Sequence, residues 1–117
     1  MHIRDFSQIN LERCQSKEGF GHDLHSWTLS DWVTAVVGEL GEAKKKKKKL
    51  NRVRDGIPGN KESPEELKAE LRRELADAYI YLDLLASAAG VYLEEAVLRT
   101  FDEKSQEIGY PYPIRQT

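Results

Sequence analysis

The sequence has little of what marks several specialised protein classes. Its 117 residues include one cysteine, Cys14, which excludes an internal disulfide and any zinc site built from several cysteines. No stretch has the apolar length of a membrane span, and residues 1–10 lack the apolar centre of a signal peptide. We therefore expect a cytoplasmic protein that does not associate with membranes.

Charge is abundant but unevenly distributed. The chain has 18 basic and 20 acidic residues, for a net charge of −2. Residues 44–54 hold no acidic residue and eight basic ones, which are Lys44, Lys45, Lys46, Lys47, Lys48, Lys49, Arg52 and Arg54. The remaining sequence therefore has 10 basic residues against 20 acidic ones. Because acidic residues predominate outside this run, a nucleic-acid partner is not expected.

Hydrophobic periodicity predicts four α-helices and no strand. The first helix covers residues 2–16. The second begins at a cap provided by Thr28 or Ser30 and ends between Leu50 and Arg54. The third begins at Ser63-Pro64-Glu65-Glu66, where serine, proline and glutamate occupy their preferred helix-start positions, and it ends at Gly90.

The fourth helix is predicted from Leu93 to Glu107, with Val97, Phe101 and Ile108 on its buried face. A chain of this length suits one domain, so we expect residues 1–117 to form a single all-α domain, an antiparallel four-helix bundle. On the third helix, Ile80 and Leu84 form a second apolar strip, which we expect to be buried against another subunit.

Two acidic pairs lie within apolar runs of the second and third helices. They are Glu39-Leu40-Gly41-Glu42 and Glu74-Leu75-Ala76-Asp77. Carboxylates three residues apart share one face of a helix. At about 100° per residue, these carboxylates have apolar positions beside them, so they are predicted to line a groove.

Four converging carboxylates repel one another unless a cation lies among them. Oxygen-only ligation selects Mg²⁺, with Mn²⁺ as the second choice, and magnesium usually completes its coordination with water and substrate phosphates. A di-iron bundle is not expected, because no histidine lies three residues after a glutamate. The alternative, in which these residues are merely charged edges of a groove, remains open.

The same residues resemble a known family. Val37-Gly38-Glu39-Leu40-Gly41-Glu42, followed by the segment from Glu74 to Leu82, is similar to the MazG-like nucleoside triphosphate pyrophosphohydrolases of the all-α NTP pyrophosphatase superfamily. The similarity extends over roughly residues 27–112. It implies that Glu39, Glu42, Glu74 and Asp77 hold Mg²⁺ and act in catalysis. It also implies hydrolysis of a nucleoside triphosphate to the monophosphate and pyrophosphate, by a homodimer or homotetramer.

Basic and aromatic residues supply candidates for contacts with the substrate. Lys46 and Lys49 fall beside the first acidic pair on the helix, and either could contact phosphates. Lys104 shares a face with the apolar residues of the fourth helix, so it either pairs with a carboxylate or reaches the substrate, as the resemblance favours. The candidates for stacking against a nucleobase are His25, Trp27, Trp32 and Tyr81, with Trp32 nearest the acidic face by spacing.

The leading hypothesis is therefore a Mg²⁺-dependent hydrolase of nucleoside triphosphates, NTP or dNTP, that clears nucleotide pools. A second hypothesis belongs to another class. In it, the chain is a non-catalytic helical adaptor, and the run Lys44–Lys49 binds nucleic acid or another polyanion.

Overall fold

A computed structural model describes residues 1–114, and this part of the chain is helical. Four α-helices cover most of it: α1 (Ile3–Gln15), α2 (Leu29–Arg54), α3 (Pro64–Ala88) and α4 (Leu93–Ile108). A short 3₁₀ helix, Leu24–Ser26, precedes α2, and residues 1–114 contain no strand. The four predicted helices and the all-α class are therefore confirmed. Within the same residues, no helix has the length and apolar character needed to cross a membrane.

The helix ends follow the predicted chemistry. Thr28 caps α2: its hydroxyl accepts the N–H of Asp31, whose carboxylate in turn accepts the N–H of Thr28. Ser63 and Glu66 make the same reciprocal pair at the start of α3. Beyond α3, Gly90 has a φ of +71°, the left-handed conformation expected where a helix stops.

The chain divides into two compact units. Within the described residues, the first unit combines residues 1–26 with residues 86–114, so it contains α1 and α4. An ion pair joins these two helices, because Glu94 of α4 lies 3.8 Å from the Arg4 guanidinium of α1. The same carboxylate lies 3.6 Å from the ring of His2, which caps α1. The buried residues of this unit include Asn10, Cys14, Leu24, Ala86, Asp102 and Ser105.

The prediction of which face of α4 is buried is wrong. Val97, Phe101 and Ile108 are exposed, whereas Asp102 and Ser105 are the buried residues of the helix. The cause lies in the segment that follows the helix. Ile114 donates its backbone N–H to Asp102 Oδ1 at 2.8 Å, so the chain returns along the polar side of α4 and covers it.

The second unit is residues 27–85, which contain α2 and most of α3. We call this pair of helices the α2–α3 hairpin. Its contacts show that the helices are antiparallel. As the residue number increases along α2, the residue number of the partner across the hairpin decreases: Trp32 contacts Tyr81, Glu39 contacts Glu74, Lys46 contacts Glu70, and Lys49 contacts Glu62. The buried residues of the unit include Trp32, Ala43, Leu67, Ala78 and Leu84.

One side of the hairpin leaves apolar residues exposed, and we call it the apolar flank. It consists of Leu29, Val33, Val37 and Leu40 on α2 with Leu75, Tyr79 and Leu82 on α3. By contrast, the expected free strip of Ile80 and Leu84 is not present. Leu84 is 6% exposed within the single chain and Ile80 is half-buried, so Leu84 needs no second subunit to cover it.

Candidate metal centre

Three carboxylates of the hairpin converge at one point. Glu39 of α2 and Glu74 and Asp77 of α3 each place a carboxylate oxygen within 4.8 Å of the others. We call these residues the acidic triad. Glu74 and Asp77 are three residues apart and therefore share a helix face, and the antiparallel packing brings Glu39 opposite them. All three side chains are half-buried.

The electrostatics of the acidic triad favour a cation. The pKa of Glu39 is raised, first because burial disfavours its charged form, then because it hydrogen-bonds Glu74, and then because Glu74, Asp77 and Glu42 repel its charge. A hydrogen bond between two carboxyl groups needs a shared proton. A divalent cation could replace that proton and remove the repulsion at the same time. The donor set, oxygen only and acidic, fits Mg²⁺ or Mn²⁺.

Glu42 stands at the edge of the acidic triad rather than within it. Its Oε1 accepts a hydrogen bond from Lys45 Nζ at 3.2 Å. Its charge nevertheless contributes to the raised pKa of Glu39. The structure thus brings together three of the four predicted metal ligands and leaves the fourth one helical turn away.

Two lysines of α2 are paired with carboxylates across the hairpin. Lys46 Nζ lies 3.4 Å from Glu70 Oε2, and Glu70 is one turn before Glu74. Lys49, which was expected beside Glu42, instead lies 2.7 Å from Glu62 Oε2. The hydrogen bond from Lys49 is the largest reason that the pKa of Glu62 is lowered. The Lys46 side chain is 20% exposed, and its partner Glu70 lies one helical turn from Glu74 of the triad.

An aromatic cluster lies in the same unit. The ring centroids of Trp27 and Trp32 are 4.6 Å apart, and those of Trp32 and Tyr81 are 6.4 Å apart. Tyr81 is one turn beyond Asp77 on α3. Trp32 is 2% exposed, whereas Trp27 is 38% exposed. The roles of Trp32 and Tyr81 in binding a base remain predictions, and Trp27 is the tryptophan of this cluster with open surface.

His25 and Lys104 belong to the first unit. His25 is exposed in the 3₁₀ helix and donates its backbone N–H to Asp23 Oδ1 at 2.9 Å. Lys104 is exposed and lies 3.2 Å from Glu107 Oε2. The expected apolar surroundings of Lys104 are absent, because Val97 and Phe101 of the same helix are exposed. Their roles in substrate binding remain predictions.

Two charged residues of the hairpin unit were missed from the sequence. Asp83 is 1% exposed, and its charge adds to burial in raising the pKa of Tyr79. Its position inside the apolar run from Ile80 to Leu85 was the available signal. Glu62 had no such signal, because its partner Lys49 is 13 residues away across the turn between the helices.

Comparison of the chain with protein-family models, with curated proteins and with solved structures gave no match. Function is therefore inferred from the geometry of the acidic triad and its surroundings.

Proposed function

We propose that this protein is a cytoplasmic, Mg²⁺-dependent pyrophosphohydrolase that converts nucleoside triphosphates, NTP or dNTP, to the monophosphate and pyrophosphate. The observation that carries the proposal is the acidic triad, in which three carboxylates from two helices meet within 4.8 Å. Such a cluster is destabilised by its own charge, and the raised pKa of Glu39 records that cost. The resemblance of the two acidic motifs to the MazG-like family agrees with this chemistry.

In this proposal, the residues of the hairpin have separate roles in binding the metal ion, the phosphates and the base. Glu39, Glu74 and Asp77 would hold the metal ion, with Glu42 close enough to join them or to orient a water molecule. A bound Mg²⁺ supplies charge neutralisation at phosphoryl oxygens and a more acidic water. Lys46 can exchange its partner Glu70 for a phosphate of the substrate, since both partners lie next to the acidic triad. Trp27, which is 38% exposed and packs against the buried Trp32, provides aromatic surface in the same unit. Tyr81, whose ring centroid lies 6.4 Å from that of Trp32, is a further candidate for contact with a base.

We further propose that the four helices pack as an antiparallel bundle and that the protein is a homodimer or homotetramer. The apolar flank supports the proposed self-association. Leu29, Val37, Leu40 and Leu75 are each 50% exposed or more, and residues of this kind gain most from burial against another chain.

A pyrophosphate-release assay tests the proposed activity. The wild-type protein is offered a panel of canonical and modified NTPs and dNTPs, with Mg²⁺, with Mn²⁺ and with a chelator. Glu39→Gln and Asp77→Asn should each lower kcat/KM by about 100-fold or more, since residues that merely support metal ligands already cost about 10–100-fold. Glu103→Gln, which removes an exposed carboxylate of α4, is the matched control and should have wild-type activity.

Absence of turnover for every nucleotide, with or without a divalent cation, contradicts the enzyme and favours the adaptor hypothesis. Circular dichroism of each variant establishes that any loss of activity occurs in a folded protein.

A further inference from the structure

A group of unpaired cations lies on the α2–α3 hairpin. Several exposed basic residues among residues 1–114 form no ion pair or hydrogen bond, and five of them lie together on one side of this hairpin; they are Lys44, Lys47, Lys48, Lys68 and Arg72. We call them the basic patch. The other three lysines of the run differ, because Lys45, Lys46 and Lys49 are paired with Glu42, Glu70 and Glu62.

The two helices bring the basic patch together at one level of the hairpin. Lys46 contacts Glu70, so in this antiparallel pair Lys44 lies level with Arg72 and Lys48 with Lys68. At 1.5 Å per residue, each helix contributes its cations over about 6 Å, and packed helices are about 8–10 Å apart. The five positive charges therefore share one compact surface.

Helical periodicity also fixes the side on which the basic patch lies. Lys44 and Lys47 follow Val37 and Leu40 by seven residues, or two turns. On α3, Lys68 and Arg72 precede Leu75 and Tyr79 by the same interval. The basic patch is thus the continuation of the apolar flank on both helices, and it lies on the opposite side of the hairpin from the acidic triad.

We infer that the basic patch binds the phosphate backbone of double-stranded nucleic acid. Five unpaired cations on one surface repel one another, and a row of phosphates removes this repulsion while releasing condensed counterions. The overall charge of the chain hides this feature, because the excess of acidic residues lies elsewhere. The inference is independent of the proposed pyrophosphohydrolase activity.

The composition of the basic patch favours a duplex backbone over other polyanions. None of its five residues is aromatic, whereas binding of single strands depends on side chains that stack on bases. The apolar side chains nearest to it belong to the apolar flank, which the proposed homodimer or homotetramer covers, whereas a helix that lies in a membrane surface needs apolar side chains free beside its basic ones. Contacts of this kind position a duplex without reading its sequence.

Fluorescence anisotropy with a labelled 20-base-pair DNA duplex tests the inference between 50 and 200 mM KCl. We expect a Kd on the order of micromolar at the lower salt concentration, and a slope of log K against log salt of about −4, near 0.9 per neutralised phosphate. The variant Lys44→Gln/Lys47→Gln should bind at least about tenfold more weakly at 50 mM KCl, with a slope shallower by about 2.

The matched control is Lys17→Gln/Lys61→Gln, which removes the same charge from exposed lysines outside the basic patch. It should change Kd by less than about twofold, because those charges do not contact the duplex. Equal weakening in both double variants overturns the inference, as does an absence of salt-dependent binding by the wild type. Binding to phosphatidylserine vesicles without binding to DNA also overturns it. Pyrophosphate release by Lys44→Gln/Lys47→Gln should equal that of the wild type.

Discussion

Glu39 is a residue whose charge is unfavourable in the folded, metal-free protein. Burial, its hydrogen bond to Glu74 and the charges around it all raise its pKa. The folded state therefore binds the Glu39 proton more tightly than the unfolded state does. This tighter proton binding stabilises the folded state fully at pH values below the pKa that Glu39 has in the unfolded chain. The stabilisation is lost as the pH rises through the pKa of Glu39 in the folded protein.

Replacing Glu39 by glutamine should therefore stabilise the metal-free protein at pH 7. The amide keeps the size of the side chain and removes the repulsion. Near pH 4, where the wild-type carboxyl group is protonated, we expect the difference in Tm between the two proteins to disappear. Thermal unfolding in chelator at both pH values measures this, with Glu103→Gln as the control. A lower Tm for Glu39→Gln at pH 7 would contradict the electrostatic account of the acidic triad.

The pKa of Glu62 is shifted in the opposite direction. Its hydrogen bond with Lys49, 2.7 Å long, lowers its pKa, so the folded state favours the carboxylate. The stabilisation from this pair is present above the unfolded pKa and is lost as the pH falls through the folded one. Glu62→Gln should therefore lower the Tm at pH 7 and have a smaller effect as the solution is acidified towards pH 3. Equal effects at both pH values would show that the pair contributes through packing rather than charge.

At the scale of the helices, the sequence predicts well which helices form and where they end. It predicts less well which face of each helix is buried. Caps such as Thr28, Ser63 and Gly90 act through neighbours within a few residues, so local chemistry determines them. The buried face of α4 instead depends on the later return of residue 114 to Asp102. No local pattern contains that contact, and the apolar periodicity of α4 pointed to the wrong face.

The acidic triad shows the same division between local and distant information. That Glu74 and Asp77 share a face follows from helical spacing alone. That Glu39 joins them, while Glu42 remains outside and pairs with Lys45, depends on the rotation of α2 against α3. Lys49 likewise pairs with the distant Glu62, which spacing along one helix could not have predicted.

The two glycines of α2 give a prediction at this scale. A Cβ atom added at Gly38 or Gly41 would meet nothing within 4 Å, so packing within the chain does not explain either residue. Gly41→Ala should therefore stabilise the fold by about 0.5–1 kcal/mol through helix propensity. Gly90→Ala is the opposite case, because a φ of +71° strains alanine, and it should destabilise the protein. Urea unfolding compares both variants with the wild type, and destabilisation by Gly41→Ala would contradict the open surroundings.

At the scale of the whole molecule, the apolar flank should control self-association. Val33→Lys places a charge on the flank, where Val33 is 46% exposed, and we expect it to shift the protein from an oligomer to a monomer in light scattering. Val53→Lys is the matched control, since Val53 is 39% exposed near the end of the same helix. A wild-type protein that is monomeric at high concentration would contradict the proposed homodimer or homotetramer.

The account of the whole molecule depends on a divalent cation at the acidic triad, and calorimetric titration with Mn²⁺ tests this most directly. The wild-type protein should bind Mn²⁺, and Asp77→Asn should bind it at least about tenfold more weakly. Glu103→Gln should bind Mn²⁺ like the wild type. Indistinguishable titrations for the wild type and Asp77→Asn, or no binding by the wild type, would contradict the proposed metal centre.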